Sequence, residues 1–436
     1  MQAVVFANNI SSRVKYIFPT LLNTVGFTVI EFTTDFNHFQ NHPGLKINYS
    51  STKIAEEEIW IAPVSLLFES KIKTQNIHCF DLNNKICFFK TIGDFSFDVF
   101  AASFYLLTRY EEYFPFKPDF YGRYAHENSL AFQQGFLHQP LINLWLEDLQ
   151  KLMLQKYSYL QLSSPSFTFI PTYDIDIAYS YRHKGLFRNV GGLLKSIVSG
   201  EFSVVRQRLR VLSGREQDPF DSFALLHQIH SDYKISPIYF FLLAEKNKSY
   251  DKNILPQKKA LRRLVKEHSS KYKTGIHPSW QSGDDTELLA KEIKLLESIT
   301  NKPVTKSRQH YIRMTLPETY QTLIAIGIKE DYSMGYGSIN GFRASYCLPY
   351  KWYDLEKEQQ TDLTIFPFCF MDANSYFEQG YSAEEALKEM RHYYNIVKQV
   401  NGHFITVWHN HFLGIDKMFK GWREIYKKMI NEMSEP

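Results

Sequence analysis

The chain has 436 residues, 44% of them hydrophobic and 16% aromatic, with 35 Phe, 28 Tyr and a formal net charge of +4. That length exceeds one ordinary compact domain and holds apolar material for two cores, and so small a charge gives no footing to a nucleic-acid partner. Four cysteines, Cys79, Cys87, Cys347 and Cys369, form no CxxC pair and read as reduced core thiols. The pattern of a secretory leader is missing and no apolar run nears membrane-spanning length. The expectation is a cytoplasmic protein, with association to a membrane surface left open.

In chain order, residues up to about 160 read as a small α/β unit. Ala3 to Phe6 and Phe27 to Phe32 are expected strands, flanking a helix through Val14, Ile17, Leu21 and Leu22, with further short strands near Ile59 to Ala62 and Ile77 to Phe80. Asp98 to Glu112 reads as a helix with an apolar body and a charged end, where Arg109, Glu111 and Glu112 pair with each other or brace a domain contact. A helix from Leu141 to Leu154 leads into the polar link Gln161 to Ser166. The expected boundary lies there, giving an N-terminal unit of residues 1–163 and a second unit of residues 164–436.

The second unit alternates strand and helix. Expected strands are Phe167 to Tyr173, Pro237 to Leu243, Lys273 to His277, Val304 to His310, Ile328 to Ser333, Leu363 to Met371 and His403 to Trp408. Helical stretches between them include Lys258 to His268, Asp284 to Ser298 and Ala383 to Val400. Such alternation implies a parallel sheet, closed or nearly closed into a distorted (β/α) barrel. Ahead of the second strand, residues 182–215 carry eight Lys or Arg against one acid, Glu201, interleaved with Leu193, Leu194, Ile197, Val204, Val205 and Leu209. That segment is either a solvated helix face or a patch for an anionic membrane surface or a phosphate-bearing substrate.

Polar residues collect where the expected strands end. Asp174 and Asp176, His277, Arg308 and His310, Asp331, Asp372, His409 and His411 all sit at or just past C-terminal strand ends. In a barrel of parallel strands these ends share the face on which active sites are built. Several imidazoles and carboxylates at one mouth point to a metal site. Asp174 and Asp176 are one residue apart, so in a continuing strand both project to the same side. One can then hold a metal while the other takes a proton from water.

These motifs resemble a known family. The Thr172-Tyr-Asp-Ile-Asp and Thr274-Gly-Ile-His-Pro-Ser segments, an arginine after the next helix, and Ile405-Thr-Val-Trp-His follow the order seen in polysaccharide deacetylases, the NodB-type carbohydrate esterases. The resemblance spans roughly residues 166–415. The stretches FDVFAASFYLLTRYEEY and YGRYAHENSLAFQQGFL look like an uncharacterised domain that precedes such barrels.

By position, the resemblance implies that Asp174 is the catalytic base, Asp176 a metal ligand, His277 the first histidine ligand, Arg308 the arginine that orients the base, and His409 the acid for the leaving amine. It further implies a divalent metal, zinc foremost, and hydrolysis of an acetyl group on an N-acetylated or O-acetylated glycan. The family takes its second histidine ligand four residues after the first, and Gln281 stands there in this chain. Glutamine is a weak substitute for imidazole on zinc, which makes His310 the candidate replacement.

Arg343, Trp280, Asp372 and His411 are candidates for contact with substrate. Asp372 and Asp331 fit equally as partners that orient a histidine or an arginine, while Arg343 fits equally as a loop brace and Trp280 as core packing. Two other readings remain open: a catalytically silent carbohydrate-binding protein on the same scaffold, and a hydrolase of a different C–N amide bond.

Overall fold

The computed structural model describes residues 1–248 and 250–434. The N-terminal part is built on a parallel sheet of β1 (Gln2–Ala7), β2 (Val29–Thr33), β3 (Leu45–Tyr49) and β4 (Ile59–Trp60), in the order β2-β1-β3-β4. A helix, Ser12–Thr24, joins β1 to β2 and is capped by the Ser11 side chain, which accepts from the Val14 amide. The expected strand at Ile77 to Phe80 is replaced by a small antiparallel hairpin of β5 (Phe80–Leu82) and β6 (Lys85–Cys87). Asp98 caps the buried helix Val99–Leu107, and a separate short turn, Tyr110–Tyr113, carries Glu111 and Glu112.

The second part holds a nine-stranded sheet. Its strands are β7 (Thr168–Ile175), β8 (Ile238–Leu242), β9 (Lys273–His277), β10 (Lys306–Ser307), β11 (Glu330–Asp331), β12 (Tyr350–Asp354), β13 (Gln359–Ile365), β14 (Phe370–Met371) and β15 (His403–His409). The order is β12-β13-β11-β10-β9-β8-β7-β15-β14, parallel throughout except for the antiparallel β12–β13 edge pair. The centre is buried on both faces, as in the all-buried run Ile-Tyr-Phe-Phe-Leu of β8, which is why these strands read as continuous apolar runs.

The expected single strand Leu363 to Met371 is divided between β13 and β14 around Pro367, whose ring supplies no amide to a ladder. Among the described residues no ladder joins the two ends of the sheet, so its closure into a barrel is not seen as a ring of paired strands. Backbone near that division nevertheless reaches both ways. The Phe366 amide donates to the Asp331 carbonyl at 2.8 Å, and the Cys369 amide to the Ile405 carbonyl at 3.3 Å.

The Thr-Gly-Ile-His run of β9 has a packing reason. A Cβ on Gly275 would lie 2.6 Å from the Phe240 ring and 2.7 Å from the Lys306 carbonyl oxygen. Glycine therefore lets β8 and β10 close on β9 and sets His277 two residues later, at the strand end.

The two parts share one continuous core. Tyr16 and Phe104 of the first pack on Tyr353 of β12, at ring-centroid distances of 4.8 and 5.3 Å. A buried ion-pair network crosses the same boundary. Arg343 Nε and Nη2 hold the Glu112 carboxylate at 2.9 and 2.5 Å, and Arg109 Nε approaches Glu112 Oε1 at 2.7 Å. Arg109 also bonds the Arg343 carbonyl.

This placement corrects the expectation that Arg343 meets substrate. Its side chain is 2% exposed and is held by Glu112 and the Gly335 carbonyl, away from the surface. Arg343→Ala leaves Glu112 with half its compensation in a buried site and is expected to cost about 3 kcal/mol of stability. Chemical denaturation checks this. Unchanged stability together with weakened ligand binding would return Arg343 to the substrate role.

Candidate metal and catalytic site

The ends of β7, β9, β10 and β15 open into a cavity of about 520 Å³ lined by, among others, Asp174, Asp176, His277, His310, His409 and His411. Asp174 is the last but one residue of β7, and Asp176 lies just past its end. His277 ends β9, and His409 ends β15. His310 comes by a different route from the one expected. Strand β10 is only two residues long, and His310 sits in a tight turn beyond it, where Tyr311 and Ile312 take left-handed φ of 59° and 53°. Such angles are rare for a bulky or β-branched residue, and surrounding packing must hold them in place. The turn brings His310 and Tyr311 to the cavity wall.

Three of these side chains meet. One ligating atom from each of Asp176, His277 and His310 lies within 4.8 Å of the others. His277 Nε2 is 3.1 Å from Asp176 Oδ1, and His310 Nε2 is 3.5 Å from Asp176 Oδ2. The opposite ring nitrogens fix the tautomers. His277 Nδ1 donates to the Arg308 carbonyl at 2.6 Å, and His310 Nδ1 faces Asp251 Oδ1 at 3.1 Å. Both imidazoles thus turn Nε2 to the same carboxylate, and His310 presents a lone pair there once its Nε2 proton is displaced.

Asp176 Oδ1 is buried and has no hydrogen-bond partner. A shared cation resolves that arrangement, and two imidazoles plus a carboxylate, each imidazole backed by a carbonyl or carboxylate, are the donor set of divalent first-row metal sites. The residues present therefore fit a metal.

Gln281, four residues after His277, is not turned toward Asp176, His277 and His310. Its Nε2 donates to Asp251 Oδ2 at 2.9 Å and to the Lys246 carbonyl at 3.1 Å. The Trp280 amide donates to Asp251 Oδ1 at 2.8 Å. Gln281 and the backbone beside it hold Asp251, and Asp251 holds His310. Asp251 was not singled out in the sequence, because it lies in the polar connection after β8 with no motif around it.

The second carboxylate has other neighbours. Asp174 Oδ2 is 3.9 Å from His277 Nε2, and Asp174 Oδ1 is 3.8 Å from Arg308 Nε and otherwise unpartnered. Arg308 is fully buried, with its guanidinium 5.1 Å from the Phe240 ring centroid and 5.2 Å from that of Phe368. Its Nη2 donates to Thr172 Oγ1 at 2.7 Å. Burial lowers its pKa and Asp174 opposes that shift. An arginine fixed by two rings and a threonine gives Asp174 a positive neighbour while leaving its oxygen open.

His409 stands across the cavity. Its Nε2 is 3.4 Å from Asp176 Oδ2, and its Nδ1 bonds Asp372 Oδ1 at 2.6 Å. The His409 amide donates to the other Asp372 oxygen at 2.7 Å. Asp372 is wholly buried beneath the imidazole, so it orients His409 and does not reach a substrate.

Burial depresses the basicity of His409, but Asp372, Asp176 and Asp174 outweigh it and push its pKa up to about 10. The reverse holds at His411, where burial and the neighbouring His409 push the pKa down to about 3. Of the two late histidines only His409 carries a proton at neutral pH. Asp331 lies outside the cavity lining, bonded by Ser307, Ser333 and Tyr320.

The rim is aromatic. Tyr121, Tyr250, Tyr311 and Phe377 line it, with Arg123, Lys252 and Glu378 between them. Tyr121 and Arg123 come from the N-terminal part, and Arg123 Nη1 donates to the Tyr311 carbonyl at 2.6 Å. The first part of the chain thus forms one side of the mouth. Trp280 supports this wall from behind, 4.3 Å from Tyr250 and stacked by Arg313 at 4.6 Å, without lining the cavity itself.

A family model described as a family of unknown function (DUF7033) matches residues 3–158. No curated protein matches the chain. Among solved structures, a Mycobacterium smegmatis protein assigned to the polysaccharide deacetylases is 12% identical, with 62% of this chain and 85% of that one covered at a TM-score of 0.40. A polysaccharide deacetylase of Bacillus cereus is 10% identical over 61% of this chain and 88% of its own, at a TM-score of 0.30. A Pseudomonas aeruginosa protein assigned to the same class is 11% identical, covering 61% and 84%, at a TM-score of 0.36.

In the metal-free protein burial opposes the charging of His310, but Asp176 and Asp251 raise its pKa to about 9. A metal requires the neutral imidazole, so binding below that pH displaces the His310 proton and affinity increases with pH up to about 9. Calorimetry of zinc binding at neutral pH, in buffers of different ionisation enthalpy, is expected to show about one proton released. Asp251→Asn is expected to weaken binding by about 10- to 100-fold. Binding with no proton release would contradict the assignment of His310.

Proposed function

We propose that this protein is a metal-dependent hydrolase that removes an acetyl group from an N-acetylated or O-acetylated glycan. The observation that carries the reading is the meeting of Asp176, His277 and His310 beside an open carboxylate, Asp174, with a protonated imidazole, His409, on the other side. On this reading the nine-stranded sheet is a distorted (β/α) barrel, and residues 1–163 and 164–436 are the two units of the chain.

Asp176, His277 and His310 would hold a divalent ion, zinc foremost, which would supply Lewis acidity toward the acetyl carbonyl and a water. Asp174 accepts a proton from that water as the oxygen attacks the carbonyl carbon. Arg308, packed between the Phe240 and Phe368 rings, sets a positive charge beside Asp174. As the C–N bond breaks, the amine nitrogen takes the proton from His409 Nε2, giving a free amine and acetate. Asp372 keeps His409 protonated and turned so that Nε2 faces the cavity. For an O-acetyl group the same proton goes to the departing sugar oxygen.

The cavity volume falls in the range of small-molecule sites, which suits a short piece of glycan. The tyrosines of the rim offer flat faces and hydroxyls to sugar rings. Open Asp174 and a charged His409 favour catalysis over silent binding, because binding alone requires neither a free carboxylate nor a proton donor at opposite sides of one point.

Asp174→Asn separates the two. The variant is expected to keep its metal and to lose at least about 100-fold in release of acetate from N-acetylglucosamine oligomers or acetylated polysaccharide. Acetate released by the wild type and by the variant is measured alongside metal content. Equal rates in both proteins would overturn the role of Asp174.

A further inference from the structure

The helical hairpin that follows β7 is built inside out. In its first helix, Leu186–Val198, the buried residues are Asn189 and Ser196. The exposed ones include Leu186, Phe187, Val190, Leu194, Ile197 and Val198, which recur at helical spacing along one stripe. Phe187 is 93% exposed, Val198 88% and Leu186 76%. The second helix, Phe202–Leu212, adds Phe202, Leu209 and Leu212 to the outside. A surface helix ordinarily turns its apolar stripe to the core. This one turns it to solvent.

Cations surround the stripe. Arg182, Arg188, Lys195, Arg206, Arg210 and Arg215 are exposed, and Glu201 is the one acid between positions 182 and 215. Among the described residues Arg210 is the one of these six in an ion pair, with Glu216 at 2.8 Å.

The hairpin is also firmly rooted. Asn189 Nδ2 bonds the Tyr181 and Gly185 carbonyls, Arg208 bonds the Asn189 carbonyl and covers the Tyr181 ring at 4.7 Å, and Asp218 accepts the amides of Ser180, Tyr181 and Arg182. Arg188 donates to the Lys252 carbonyl at 3.1 Å, and Lys252 lines the cavity. The exposed apolar stripe is thus held in place beside the mouth of the site.

We propose that this hairpin docks the protein on an anionic membrane surface, with Leu186, Phe187, Val198 and Phe202 in the boundary between headgroups and acyl chains and the arginines on lipid phosphates. An exposed apolar stripe flanked by cations, of which only Arg210 is in an ion pair among the described residues, with almost no acid, matches an anionic bilayer in both of its properties. A second protein copy would bring the same cations against themselves. The inference is independent of which bond the site cleaves.

Flotation with vesicles of phosphatidylcholine and phosphatidylglycerol, against vesicles of phosphatidylcholine alone, tests it. The wild type is expected to float with the anionic vesicles and to dissociate from them as salt rises. The double variant Phe187→Ser, Val198→Ser is expected to lose at least about tenfold in vesicle affinity. Both positions are on the outside, and an unchanged circular dichroism spectrum and metal content establish that the variant is folded. Absence of flotation, or flotation equal in wild type and variant, overturns the proposal. So does a wild-type dimer that ignores vesicles and is dispersed by the double substitution, because a second copy then covers the stripe.

Discussion

Two carboxylates one residue apart leave the end of β7 for a largely buried cavity, and the charge they bring has to be compensated on the spot. Asp174 is 2% exposed, and at Asp176 burial by itself favours the neutral form. The positions of Arg308, His277, His310 and His409 follow from that demand. At Asp176 the burial effect is outweighed by His310 and His277, which hold its pKa well below the usual carboxylate range. The imidazoles in turn draw on further acceptors: Asp251 for His310, Asp372 for His409 and the Arg308 carbonyl for His277. A chain of alternating charge runs from the cavity into the sheet, and its centre presents lone pairs to one point.

Chemical division of labour between the carboxylates comes from these partners. Asp176 is surrounded by the ring nitrogens of His277, His310 and His409. Asp174 has one oxygen free of hydrogen bonds, near the buried guanidinium of Arg308. Identical side chains on one strand end thus take different roles through their neighbours alone. The N-terminal part contributes to the same site from outside, since Tyr121 and Arg123 build a side of the mouth and the Arg343–Glu112–Arg109 network ties that part to the sheet.

Strand ends were legible where a buried run stops at a polar residue, as at His277 of β9 and His409 of β15; the bounds expected for Lys273 to His277 coincide with β9. Less regular pieces were hidden. Strands β10 and β11 are two residues each and take their place from neighbours instead of from pattern. The β12–β13 hairpin turns through Glu358 at a φ of 50°, where no glycine or proline marks a turn. Asp251 has no periodicity or motif near it, and only the folded chain shows that it backs His310. Arg343 looked like a ligand-binding residue because a glycine precedes it, but the partner that claims it is 231 positions away in sequence.

On the proposed function, His310 and not Gln281 completes the metal site with Asp176 and His277. Metal content of the protein purified without added metal, wild type against His310→Ala, tests it most directly. About one equivalent of a divalent metal in the wild type and a deep loss in the variant is the predicted result. A wild type that stays metal-free after incubation with zinc, or a variant that keeps its full equivalent, would contradict it.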